Sequence, residues 1–218
     1  MSDAGLPFWG WSQEASTQAE TVNYILPGIP AYSGSPYTEL HDNKPDFTQY
    51  ELVTTSFESY SELDELGRCG AAFACIGTDI MPSEPREAIG AIKPAGWHTI
   101  KYDFVDGKYL YNRCHLIAYK LSGENSNRQN LITGTRYMNV QGMLPFEIRV
   151  HDYVIRTGNH VMYRVTPLYD GDNLLAYGVQ MEALSVEDKG KGICFNVFVY
   201  NVQPGVVIDY ATGDSRLE

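Results

Sequence analysis

At 218 residues, the chain is long enough to bury one substantial core. Its net charge of −11 argues against broad, non-specific adhesion to polyanions. No apolar run approaches the ~18 residues of a membrane span, and four cysteines are too few for a disulfide scaffold at this length.

Residues 1–30 mix polar residues with "LPGIP" and read as an N-terminal extension, a tail or a draped arm. Its first residues, "MSDAGLPFWGWSQEASTQAE", lack a basic start followed by an apolar stretch, so no secretory signal is expected in this form. Residues 31–218 read as one domain. The turn-rich "YSGSPYTELHDNKPDF" includes a candidate short strand at Tyr37–Leu40. The phrase "SYSELDELGRCG" interleaves acidic and apolar residues before a glycine, as a strand running into a short helix or a loop would. "WHTIKYDFVDGKYLYNRCHLIAY" has the turn chemistry of a hairpin, with Asp106-Gly107 at its tip. After an Asn/Ser-rich connection, "PFEIRVHDYVIRTGNH" reads as a helix. Pro145 stands near its start, Phe146, Val150, Tyr153 and Val154 fall at helical spacing, and Gly158 lies past its end. Three strands close the chain: "HVMYRVTPLY", "LLAYGVQMEAL" and "ICFNVFVYNV", the last with Phe195, Val197 and Val199 on one face. This pattern is α+β, with a central antiparallel sheet and helices gathered around one central segment.

The charge is unevenly spread. Residues 101–164 hold nine Lys and Arg against five Asp and Glu, while the rest holds seven against 22. A basic segment inside an acidic chain suits an anionic substrate held at one place, although charges scattered over solvated faces would give a similar count. Cys69 and Cys75 bracket "CGAAFAC", whose gap is too wide for a zinc knuckle. They are two buried thiols, or a local disulfide if the chain meets an oxidising compartment.

Within the basic segment, "YLYNRCH" places Arg, Cys and His side by side. On a strand, side chains alternate between faces. Asn112 and Cys114 then share one side, Arg113 and His115 the other. Cys114 therefore cannot form a thiolate–imidazolium pair with its neighbour His115. Arg113 and His115 project together, one suited to gripping phosphate and the other to moving a proton.

The string "YNRCHLIAYKL", followed by "NRQNLITGTRYMNVQGMLPFE", resembles the DNA/RNA non-specific endonucleases of the ββα-metal class, especially their streptococcal secreted DNase branch. The likeness covers roughly residues 30–215. It implies a ββα-metal catalytic core within the sheet fold and an endonuclease domain over residues 31–218. It further implies His115 as general base, Asn139 as direct metal ligand, Glu147 as the residue orienting the metal's water, Asn130 as a supporting polar residue and Arg113 as a phosphate contact. Mg²⁺ is the implied cofactor, with Mn²⁺ as a substitute; the implied partner is DNA, with RNA a second candidate, and the mature chain would be secreted. The sequence identifies no inhibitor protein. Two positions depart from the family signature: Asn112 stands where it has Asp, and Cys114 where it has Gly.

Several of these residues have plainer readings. Asn139 suits a cap or turn as well as a ligand. Glu147 would sit in the first turn of a helix, where the dipole favours a carboxylate. Arg136 and Arg149 suit phosphate contacts or a solvated surface. On a straight helix Glu147 lies about 12 Å along the axis from Asn139, at ~1.5 Å per residue. Pro145 also disfavours helical geometry at Leu144, so Glu147 is expected to act through water. The rival functions are a catalytically silent nucleic-acid or protein-binding module on the same fold, and a thiol enzyme using Cys114.

Overall fold

The longest apolar alternations in the chain, near its C-terminal end, form the middle of the main sheet. The computed structural model describes residues 24–218; the remainder of the proposed extension lies outside the described residues. Strands run in the order β1 (Tyr24–Leu26), β2 (Ile29–Pro30), β3 (Tyr37–Glu39), β4 (Phe57–Tyr60), β5 (Ala72–Ile76) and β6 (Tyr111–His115). A single helical turn, α1 (Tyr119–Ser122), precedes β7 (Leu131–Thr135); a π-helical segment (Met138–Met143) leads directly into α2 (Leu144–Thr157). The chain ends with β8 (Val161–Leu168), β9 (Gly178–Ser185), β10 (Cys194–Tyr200), β11 (Val206–Ile208) and β12 (Ser215–Leu217).

Six strands form one antiparallel sheet in the order β3-β10-β9-β8-β5-β4. The alternation in β10 decides which face each residue covers. Phe195, Val197 and Val199 enter the main core with Phe146, Val150, Tyr153 and Val154 of α2. Phe198 and Tyr200 point the other way, into a second cluster with Ile25, Leu26 and Ile29. Residues 24–30, assigned from sequence to the extension, are thus a β1–β2 hairpin closing the far face of the sheet.

The segment around Asp106-Gly107 differs from expectation in one respect. The turn is present, with Gly107 and Lys108 both at positive φ. The strand pairing around it is limited to a bridge between Lys101 and Tyr109. The full partner of β6 is β7, in register from Tyr111 opposite Thr135 to His115 opposite Leu131. Local turn chemistry is legible in sequence; which strand wins the ladder depends on long-range packing. The phrase "SYSELDELGRCG" becomes the end of β4 and then a loop, with no helix.

The helix forms as expected from Pro145 to a C-cap at Gly158, whose φ of 69° and N–H bond to the Val154 carbonyl close its last turn. Leu144, however, is helical at φ −51° and ψ −41° despite preceding a proline. The preference before proline is outweighed by packing, since Met143 and Phe146 on either side both enter the core. The π segment lies close on β10: a Cβ at Gly142 would collide with Val199. The expected flanking helices amount to α2 and the single turn α1.

Candidate active site

The β6–β7 ribbon and the helical segment after it converge on one cavity of about 250 Å³. Arg113 and His115 from β6, Lys120 from α1, Asn139 from the π segment and Glu147 from α2 line it. Arg86, from the long loop between β5 and β6, completes the wall.

His115 is buried, and its Nε2 lies 2.8 Å from the carbonyl oxygen of Asn125. A carbonyl only accepts, so Nε2 carries the proton and Nδ1 keeps its lone pair. The Arg86 guanidinium lies 3.4 Å from Nδ1. Burial, with a further push from Arg86 and against the Asn125 contact, lowers the His115 pKa to about 4. The ring is therefore a neutral base at physiological pH.

Asn130 builds the loop that delivers the Asn125 carbonyl. It is completely buried, its Oδ1 accepts from the Ile117 N–H at 2.8 Å, and its Nδ2 donates to the Ile117 carbonyl at 3.0 Å. These two bonds close the connection between β6 and β7. Asn130 thus holds the loop rather than facing the cavity.

Arg136 and Asn139 both donate to Oδ1 of Asn112, at 3.4 and 3.1 Å. Arginine only donates, which assigns the Asn112 oxygen to this side and the Asn139 NH₂ to face it. Among the described residues the Asn139 oxygen has no hydrogen-bond donor. Asn112 sits beside Arg113 in the groove lining, contrary to its assignment to the Cys114 face. The two-stranded β6–β7 ribbon is free to twist more strongly than a strand held inside a wide sheet, which weakens a strict two-face reading.

Glu147 is 7% exposed, and among the described residues its carboxylate accepts no hydrogen bond. Burial pushes its pKa up to about 7, with Lys120 and Arg86 pulling the other way. Asn139 and Glu147 are eight residues apart, a spacing that on an unbroken α-helix diverges by ~80° around the axis. A π turn holds one residue more than the α turn it replaces, so the pair phases like residues seven apart, within about 20°. The π segment is what turns both oxygens toward one cavity. Their separation along the axis persists, consistent with Glu147 reaching a cation through water. A site offering one amide oxygen and one carboxylate fits a hard cation that keeps most of its own waters. Among the described residues there is no cluster of three His, Cys, Asp or Glu.

The other expected residues divide. Arg113 lines the cavity, but its Nε and Nη2 donate to the carbonyls of Ile92 and Gly90, and its guanidinium lies 4.0 Å from the Trp97 ring. It holds the 86–97 loop over the site. Arg136 pairs with Asp106 at 2.7 Å and lies at the edge of the neighbouring groove. Arg149 lies over Phe146 and Phe195 and lines neither space. Cys114 is wholly buried in the main core, and burial drives its thiol well above the usual range. Cys69 and Cys75 are separate buried thiols. Sequence reasoning missed Arg86 and Lys120. Arg86 lies between Glu84 and Glu87, outside the basic segment, and carries no local signal of its role.

A neutral histidine and two open oxygens thus share one cavity on a ββα unit. Residues 43–187 match the DNA/RNA non-specific endonuclease family, and the chain belongs to that family. A deoxyribonuclease from Streptococcus dysgalactiae subsp. equisimilis is 36% identical over 110 residues, a stretch covering 48% of this chain and 32% of that protein. The chain thus spans about a third of that relative's length. The crystal structure of NucA from Streptococcus agalactiae with magnesium bound superposes with a TM-score of 0.74 at 27% identity, covering 83% of this chain and 87% of that one. The Sda1 nuclease with bound zinc gives a TM-score of 0.69 at 26% identity, covering 84% and 97%.

Proposed function

We propose that the chain is a metal-dependent, sequence-non-specific endonuclease that hydrolyses phosphodiester bonds in DNA, and in RNA as a second substrate. The observation that carries the reading is the unprotonated Nδ1 of a neutral His115, beside Arg86, on the same cavity as the Asn139 and Glu147 oxygens, which have no hydrogen-bond donor among the described residues. As the oxygen of an attacking water bonds to phosphorus, Nδ1 of His115 takes its proton. Asn139 would hold a divalent cation directly and Glu147 through water. When bound, that cation supplies Lewis-acid stabilisation to the phosphoryl group and the departing 3′ oxygen. Mg²⁺ suits this oxygen donor set, with Mn²⁺ able to replace it; the magnesium in NucA is in keeping with that choice. Arg86, which points at the reacting face, offsets the charge that develops on phosphate oxygens. Arg113 acts at one remove, by holding the loop that carries Arg86. Contacts to phosphate carry no base information, which accounts for the lack of sequence preference. Secretion of the mature chain belongs to the same reading, by family resemblance.

The burial of Cys114 removes the motivation for a thiol mechanism. The test is plasmid and RNA digestion by purified protein with Mg²⁺, Mn²⁺ or EDTA. Degradation that EDTA stops is expected; intact substrates under excess metal would remove the proposal. A metal titration separates the two central roles. Asn139→Ala is expected to weaken Mn²⁺ binding along with rate, whereas His115→Ala keeps the metal and loses the rate. The reverse pattern would exchange the assignments.

A further inference from the structure

Beside the catalytic cavity lies a larger groove of about 510 Å³, sharing Arg86, Arg113 and Asn139 with it. The two spaces therefore adjoin at these three residues. The groove differs from the cavity in its lining, which includes no carboxylate, in a chain whose net charge is −11. Three arginines and three aromatic residues, Trp97, Tyr109 and Tyr111, stand around it instead.

Trp97 packs by one side against the Leu110–Leu175 cluster, whereas Tyr109 is not there to fill a core. Tyr109 is 46% exposed, and among the described residues it joins no apolar cluster. Lys101 covers one side of its ring, with Nζ 4.5 Å from the ring centre. Trp97 carries the Arg113 guanidinium over its ring, so a flat cation on a flat aromatic forms a second part of the lining. Tyr111, two residues on at the start of β6, is by contrast buried and donates its hydroxyl proton to the Gly213 carbonyl. This stretch of chain thus spends one tyrosine on the core and leaves the other open. Flat rings beside positive charge are the combination by which proteins hold unpaired bases, the ring stacking on the base and the cations following the backbone.

We propose that this groove is a nucleobase subsite, in which a base flanking the scissile phosphate stacks on Tyr109. It rests on the nuclease reading above and adds a claim about the substrate: the nucleotide on that side is turned out of its stack. Single strands and frayed ends supply such a nucleotide at least cost. A groove that only follows phosphates is the competing description, and it makes a different prediction.

The experiment compares two labelled oligonucleotides of equal length, one of thymidines and one of abasic residues, by fluorescence anisotropy. His115→Ala protein with Mg²⁺ keeps the strands intact during titration. The thymidine strand is expected to bind about tenfold more tightly, the order expected of one stacked base. Tyr109→Ala in the same background should remove most of that difference, and Tyr109→Phe should keep it. Thr99→Trp, which narrows the groove from an exposed position, should weaken the thymidine strand more than the abasic one. Equal affinities for the two strands, or an equal loss from both on Tyr109→Ala, would overturn the subsite and leave a phosphate-only groove. If the parent protein cleaves DNA in that case, the nuclease reading survives without the subsite. If neither strand binds and the parent cleaves nothing, both fall.

Discussion

Two buried carboxylates, one in the sheet and one in the site, show how this molecule separates structure from chemistry. Glu182, in β9, is 3% exposed and completely engaged. It accepts from the Arg164 guanidinium at 2.8 Å and from the Asp46 backbone N–H at 2.8 Å. Glu147, in α2, is 7% exposed and engages no donor among the described residues. The two amides Asn196 and Asn139 repeat the contrast. Asn196 uses its side chain toward Gln180, Lys44 and His41. Asn139 spends its NH₂ on Asn112 and leaves its oxygen open. Burying a polar group without a partner costs stability. Glu147 comes nearest to that cost, while the half-buried Asn139 keeps its oxygen open on the same cavity, where a cation could meet both.

The contrast is sharpened most by removing the base. His115→Ala is expected to lower kcat by ~10²–10⁴ while leaving the circular dichroism spectrum of the sheet unchanged. Added imidazole should restore part of the rate by occupying the vacated space. A collapse of the fold instead would mean that His115 belongs with the structural group.

Arg86 comes next. Arg86→Ala should cost about 10²–10³ in kcat if it offsets developing charge. It should also shift the pH profile. His115 is held down to about 4, first by burial and then by Arg86, so the acid limb of the parent lies well below the ordinary ~6.5 of a histidine. Removing the guanidinium raises the His115 pKa and moves that limb upward. An unmoved limb would show that Arg86 acts elsewhere.

Stability against pH tests the same pair of groups. As pH falls from ~6.5 toward 4, the unfolded chain protonates His115 before the native one does, so stability is lost. Glu147 has the opposite sign, because its pKa is raised to about 7. The native state binds that proton first, so its contribution is present at low pH and is lost as pH rises from ~4.5 through 7. In EDTA the two largely offset one another across this window. Thermal melts of His115→Ala should therefore show stability falling as pH rises from 4.5 to 7, the Glu147 contribution alone.

Exchanging the two glutamates for glutamine tests the comparison directly. Glu182→Gln should destabilise by about 2 kcal/mol, less than the ~3–5 of a completely buried pair, because Arg164 is partly exposed and keeps Glu51. Glu147→Gln should leave the melting temperature level or higher while lowering rate and metal affinity. Equal destabilisation by both would erase the distinction. The smallest effect is expected at Cys114, where Cys114→Ser should keep activity within roughly tenfold, or ~1.4 kcal/mol in the barrier. A loss matching that of His115→Ala would restore the thiol to the mechanism.

Much of this was legible in the chain itself. The alternation of Phe195, Val197 and Val199 gives β10 its two faces, and Phe146, Val150, Tyr153 and Val154 give α2 its buried stripe, because side-chain period follows directly from backbone geometry. The separation of Cys114 from His115 follows from the same rule. The order and spacing of Arg113, His115, Asn130, Asn139 and Glu147 were enough to raise the family. Other features depended on groups distant in sequence. The pairing of β6 with β7, rather than with the segment before Asp106-Gly107, was settled by packing. The π turn was hidden because no residue type announces it; in the fold it lies where Gly142 seats against Val199. That turn brings Asn139 and Glu147 into phase. Arg86 reaches His115 across 29 residues of sequence, along a loop anchored by Arg113 and Trp97, and no local pattern encodes such a contact. Sequence period determined which side chains each element could offer. Only the tertiary structure decided which of those polar atoms were satisfied and which were left open, since a hydrogen-bond partner is a property of the whole fold.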